Sequence, residues 1–179
     1  MRGTGLNSLT PSARVAAALE LLQRARELYE SGRVHDALEA AQAACDRKPK
    51  DAEAWWVLGC ISRYENLPAA SDTAFRKAAA LSRNHPLPHR VTREDFEALV
   101  RRQLESLSPD ARRRLTGVRV EIRDLPGRED VKRGTSPDAL TNRKRGAEDV
   151  LFLYQVNHEN RSGSETDLAA LVTRSLSRA

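Results

Sequence analysis

The chain has 179 residues, 40% of them hydrophobic and 31% charged, with a formal net charge of +5. That length holds one domain or two small ones, and its charge is spread: 13 Lys and Arg stand against 10 Asp and Glu before residue 91, and 17 against 15 after it. A nucleic-acid face needs a stronger basic stripe, no apolar run approaches the roughly 18–20 residues of a membrane helix, and the first ten residues lack the apolar centre of a secretory signal.

A cytoplasmic protein is therefore expected. Aromatics are 4% of the chain, so Ala and Leu must fill most of the core, which favours helices. Residues 1–11 read as a flexible lead, with Thr10-Pro11 or Ser12 opening the first helix. Val15, Ala18, Leu21, Leu22, Ala25 and Leu28 make an apolar stripe at helical spacing, which Ser31-Gly32 stops. A second helix is predicted over Val34–Arg47, with Ala37, Leu38, Ala41 and Ala44 on one face. Lys48-Pro49-Lys50 breaks it, and Asp51 caps a third helix over Ala52–Tyr64. A fourth runs from Pro68 to about Ser82, and residues 87–91 form a stiff linker.

These four helices are one hairpin written twice. Stepping back 34 residues from Trp55, Gly59, Ser71, Phe75 and Ala78 gives Leu21, Ala25, Ala37, Ala41 and Ala44. Large falls on large at the first pair and small on small where helices must approach closely; only Ala41 under Phe75 breaks the match. A repeat of this period cannot bury its own face and must stack on its neighbours. Trp56 beside Trp55 is a further clue: one Trp suffices for the core, and an adjacent one must point elsewhere. Cys45 and Cys60 each fall on a predicted helix without a metal-type partner, and read as reduced, partly buried thiols.

From residue 92 the pattern changes to α+β. Thr92 caps a helix with Phe96, Leu99, Val100, Leu104 and Leu107 on one face, and Ser108-Pro109-Asp110 restarts a short basic helix to Leu115. Val118, Val120 and Ile122 alternate with charged residues as in a half-exposed strand. Residues 125–149 are rich in charge and poor in apolar side chains, and read as a long mobile loop. Val150–Tyr154 is a buried strand, Asn157–Ser164 a polar turn, and Glu165–Arg178 a last helix with Leu168, Leu171, Val172 and Leu176 inward. The fold class is thus mainly α with a small α+β part, divided into helical repeats over 12–86 and an α+β domain over 92–179.

Residues 12–86 resemble tetratricopeptide repeats. Trp55, Leu58, Gly59, Phe75 and Ala78 fall at that family's signature spacing in the second copy, as do Ala25, Gly32, Ala37, Ala44 and Pro49 in the first. Arg24, Ser62 and the late Pro86 depart from it. In that family the first helix of each repeat lines a concave groove. By position, the resemblance implies a groove showing Arg26, Tyr29 and Glu30, then Trp56, Cys60, Arg63 and Tyr64, where a peptide or helix of a protein partner binds. Two repeats leave an open end, and the Phe96 helix is expected to cover it.

The second region is similar to the minimal zincin-like metallopeptidase domain of bacteria, through the order Phe96–Val100, Leu104–Leu107, Val118–Ile122 with Asp124-Leu125-Pro126, then Val150–Tyr154. In that family the last helix carries His-Glu-x-x-His, whose imidazoles bind zinc while the Glu activates water. Here Arg178 and Ala179 stand where His and Glu belong, and His158-Glu159 would put its second His at Ser162, in a predicted turn. No catalytic residue, metal ligand or cofactor is expected.

The reading is therefore a non-catalytic bacterial adaptor that binds a protein partner. Its runner-up is a nucleic-acid accessory protein using Arg112–Arg114, Lys132-Arg133 and Arg143–Arg145. That reading is disfavoured by the acids interleaved among these residues and by the lack of aromatics to stack on bases. A third is a metal-dependent peptidase-like protein completed by another chain. The oligomeric state is left open.

Overall fold

The computed structural model describes residues 10–179. The predicted lead, 1–11, falls outside them except for Thr10 and Pro11. The chain forms two compact units, one ending at His85 and the other running from Pro86 to Ala179. It is mainly helical with one small mixed sheet.

The first unit is two antiparallel helical hairpins, α1 (Pro11–Glu30) with α2 (Val34–Arg47) and α3 (Ala52–Tyr64) with α4 (Pro68–Leu81). Local chemistry sets the ends. The Thr10 hydroxyl accepts from the Ala13 amide at 3.2 Å, and Asp51 accepts from the amides of Glu53 and Ala54 at 3.1 and 3.3 Å. Gly32, at φ 78°, takes the left-handed turn that lets the Arg33 amide return to the Leu28 carbonyl at 2.8 Å. Ala25, Ala37, Ala41 and Ala78 are fully buried, so the small positions of the 34-residue pattern lie in the core around Trp55, Leu58 and Phe75. Gly59 goes further: a Cβ there would sit 2.8 Å from the Phe75 ring, so the ring packs directly on backbone. The Ser71 hydroxyl donates to the Gly59 carbonyl at 2.8 Å across the same contact. Cys45 and Cys60 are both free and buried, and burial pushes the Cys45 thiol up to about 12.

The second unit contains α5 (Arg93–Ser106), α6 (Pro109–Arg114), β1 (Val118–Arg123), α7 (Arg128–Lys132), β2 (Thr141–Lys144), β3 (Asp149–Tyr154), α8 (Gln155–Asn160) and α9 (Glu165–Arg178). The sheet order is β1-β3-β2, with β1 parallel and β2 antiparallel to the central β3. Leu151 and Leu153 bury one face of β3 in a core with Phe96, Leu99 and Val100 of α5 and Leu168, Val172 and Leu176 of α9. The apolar face of α5, Phe96 included, is thus buried inside its own unit.

Two expectations are corrected here. The mobile loop over 125–149 is instead ordered around α7 and β2, because Val150, Phe152 and Tyr154 point to the second face of the sheet and need a cover. The Arg123 guanidinium lies 3.8 Å over the Phe152 ring. Lys144 donates to Asp130 at 2.6 Å and holds that carboxyl below its usual range, and Arg143 clasps Asp149 with two bonds of 2.9 and 2.7 Å. The polar turn over 157–164 begins as helix α8, every residue of which is buried. Residues 87–91 belong to this unit too: the His89 amide donates to the Ser162 carbonyl at 2.8 Å, and Arg90 pairs with Glu159 at 3.1 Å.

Candidate functional site

The seven residues expected to line a groove meet different fates. Tyr29 and Cys60 are buried, 3% and 4% exposed, in the core of the first unit, so neither offers a side chain to a partner. Their side chains point inward because α1 and α3 each present a broad apolar stripe to neighbours on two sides, which family register alone does not show. Tyr29 and Tyr64 meet edge to face with centroids 5.7 Å apart. Arg26 and Glu30 are exposed, and Arg26 pairs with Glu53. Glu53 also holds His85 at 3.1 Å, and the His85 ring lies 5.9 Å from that of Trp56. Trp56 is thus half-buried beside an imidazole from the end of its own unit. Arg63 and Tyr64 are half-buried as well.

A different set of side chains builds an open groove of about 860 Å³. Its floor is α3, through Trp55, Leu58 and Ser62; its walls are α2, from Leu38 to Asp46, and α4, from Leu67 to Lys77. None of the seven lines it. Trp55 is fixed from both ends, its indole N–H donating to the Pro49 carbonyl at 2.8 Å and Lys77 lying 3.8 Å over its ring. Leu67, 43% exposed, stands at the rim. The surface is apolar at its base and charged only at its edges, as pockets that recognise ligands are.

The only His-Glu pair lies in the opposite kind of environment. His158 is sealed: its Nδ1 sits 2.8 Å from the Tyr154 carbonyl and its Nε2 2.9 Å from the Ser175 hydroxyl. With Nδ1–H donating to the carbonyl, Nε2 accepts from Ser175. The chain therefore does bring a serine to a histidine, though no such arrangement is visible in the sequence. Ser175 is 8% exposed and His158 wholly buried, so no substrate carbonyl reaches the pair, and burial holds the imidazole down at about 4, in its neutral form. Glu159 is likewise enclosed, accepting from Gln155 at 2.8 Å and from Arg90 at 3.1 Å. Among the described residues no group of three or more His, Cys, Asp or Glu is placed to hold a metal ion.

The Arg clusters are largely engaged within the fold. Arg113 pairs with Asp110, Arg112 donates to the Glu105 carbonyl, Arg114 to that of Ser177, and Lys132 pairs with Glu129. Compared with family models, with curated proteins and with solved structures, the chain matches none. No described helix is long and apolar enough to cross a membrane.

Sequence reasoning missed the groove between α2 and α4. The signal available to it was Leu67, an apolar residue at the N-cap of α4 rather than on the stripe that helix buries.

Proposed function

We propose that the chain is a non-catalytic adaptor that holds a peptide or helix of a protein partner on its tetratricopeptide-like first unit. The observation that carries this is the contrast between the two units. The first leaves an open, apolar-floored groove over Trp55 and Leu58, while the second encloses its His158-Glu159 pair in hydrogen bonds. Recognition needs the former and hydrolysis would need the latter to be open. The second unit is then a companion domain, similar to a zincin whose zinc ligands are replaced. A cytoplasmic setting remains part of the proposal. Trp56, Arg63 and Tyr64 stay in the proposal as a second contact surface, since each is half-buried and keeps an edge for a partner aromatic or carboxylate.

Affinity capture with the intact chain, from the cells that make it, tests this. Two variants separate the surfaces: Leu67→Asp with Ala70→Trp obstructs the groove, and Trp56→Ala with Arg63→Ala strips the other face. At least one of them is expected to cut recovery of a specific protein partner by about tenfold, the usual loss when a binding anchor is removed. Unchanged recovery with both variants would remove the first unit from the function.

A further inference from the structure

The groove has a shape and a charge pattern that narrow its occupant. Its α2 wall extends from Leu38 to Asp46 and its α4 wall from Leu67 to Lys77, about 12 and 15 Å at the helical rise. The opening is therefore elongated, with the length of roughly two to three helical turns. The floor is apolar and continuous from Trp55 to Leu58. The α2 rim carries Glu39 and Asp46, seven residues apart and so on one stripe of the helix. Glu39 has a side chain 75% exposed, with the exposed His35 at 3.8 Å, and Asp46 accepts a bond from Gln42 at 2.9 Å. Both residues line the opening. The α4 rim carries a single charge, Lys77, and that ammonium is directed onto the Trp55 ring.

We infer that this groove takes an amphipathic helix of a partner protein, apolar along the stripe that faces Trp55 and Leu58, with Lys or Arg along the flank that faces Glu39 and Asp46. The inference rests on the adaptor reading and adds to it the site and the chemistry of the partner. A helix laid between α2 and α4 continues the layering of the unit and buries Leu67 and Leu38 against its own apolar residues. The basic flank meets the one rim whose charge is not already engaged with an aromatic ring, so electrostatics selects the partner while the apolar floor holds it.

The test uses the intact protein and two fluorescein-labelled synthetic helices with the same leucine stripe. One carries Arg along one flank and Gln along the other; its twin carries Glu in place of Arg. Binding is followed by anisotropy at low salt, where exposed charges are least screened. The Arg peptide is expected to bind about fivefold or more tighter than the Glu peptide, the scale of two exposed ion pairs. Glu39→Lys with Asp46→Lys should invert that preference. Ala70→Trp, at an exposed position of α4 where bulk is tolerated, should abolish binding of both peptides without changing helix content. Failure of the Arg peptide to bind, equal binding of the two, or binding indifferent to Ala70→Trp would overturn the inference. If affinity capture still yields a partner lost on Trp56→Ala with Arg63→Ala, the adaptor reading stands while the groove proposal falls. If no variant changes capture, the adaptor reading itself fails.

Discussion

Between pH 6.5 and 4 the second unit is expected to lose about 3 kcal/mol of stability, with His158 as the cause. Burial lowers this imidazole from 6.5 to about 4, and Arg161 on the same stretch of chain adds to the effect, while the Tyr154 carbonyl opposes it. The sign follows from which state binds the proton more readily. Below 6.5 the unfolded chain protonates His158 and the folded one does not, so stability falls as pH falls until about 4, where the folded form protonates as well. The stabilisation is therefore fully present above 6.5. The carboxylates of Asp130 and Asp149, held low by Lys144 and Arg143, contribute a separate loss that begins below their ordinary range near 3.8. Amide exchange in β3 and α9 reads the second unit, whereas both tryptophans lie in the first, so their fluorescence supplies an internal comparison. His158→Gln keeps hydrogen-bonding capacity but cannot titrate, and should flatten the profile between 6.5 and 4. An equal slope in the wild type and this variant would assign the acid sensitivity elsewhere.

Replacing Phe75 by Ala is expected to cost the first unit about 3–5 kcal/mol, the usual consequence of emptying a buried aromatic site. Phe75 is fully buried and its ring lies on the Gly59 backbone, which offers no side chain of its own to the space the ring would vacate. The reciprocal substitution is equally diagnostic. Ala is the better helix former by about 1 kcal/mol, yet Gly59→Ala places a methyl 2.8, 2.9 and 3.0 Å from three atoms of the Phe75 ring. Overpacking of that kind costs about 1–3 kcal/mol, so the net effect should be destabilising. The two positions are coupled, and Gly59→Ala with Phe75→Leu should cost less than the sum of the single changes. Denaturant unfolding followed by tryptophan fluorescence measures all four proteins. Additive costs would show that the ring and the backbone do not share one contact.

The first unit was legible in the sequence because its signals are local. Thr10, Asp51 and the Ser31-Gly32 stop mark helix ends through short-range hydrogen bonds and backbone preference, and the 34-residue pattern marks which positions are small. The second unit was less legible for the opposite reason. Residues 125–149 look solvated because Asp130, Lys144, Arg143 and Asp149 are charged, yet Asp130 and Lys144 meet across fourteen residues and Arg143 and Asp149 across six. The clue to their order lay in the unbroken apolar run Val150–Tyr154, since a strand apolar on both faces needs cover on both. Residues 157–160 read as part of a turn because they are polar. They are buried because their side chains find partners far along the chain, such as Asn157 on the carbonyls of Pro137 and Ala139 at 2.8 Å each.

The site was legible only in outline. That the helical unit stacks one hairpin on another follows from its period, but the face proposed for a partner rests on register, and register does not say which side chains neighbours will cover. Tyr29 and Cys60 were covered, Trp56 met His85, and the open surface formed instead where Leu38 and Leu67 stand beside a floor of Trp55 and Leu58. The central claim is that the first unit holds a protein partner. It is tested most directly by amide hydrogen exchange on the intact chain, free and with its captured partner. Slowed exchange concentrated in α2, α3 and α4 is the predicted result; slowing confined to residues beyond Pro86 would contradict it.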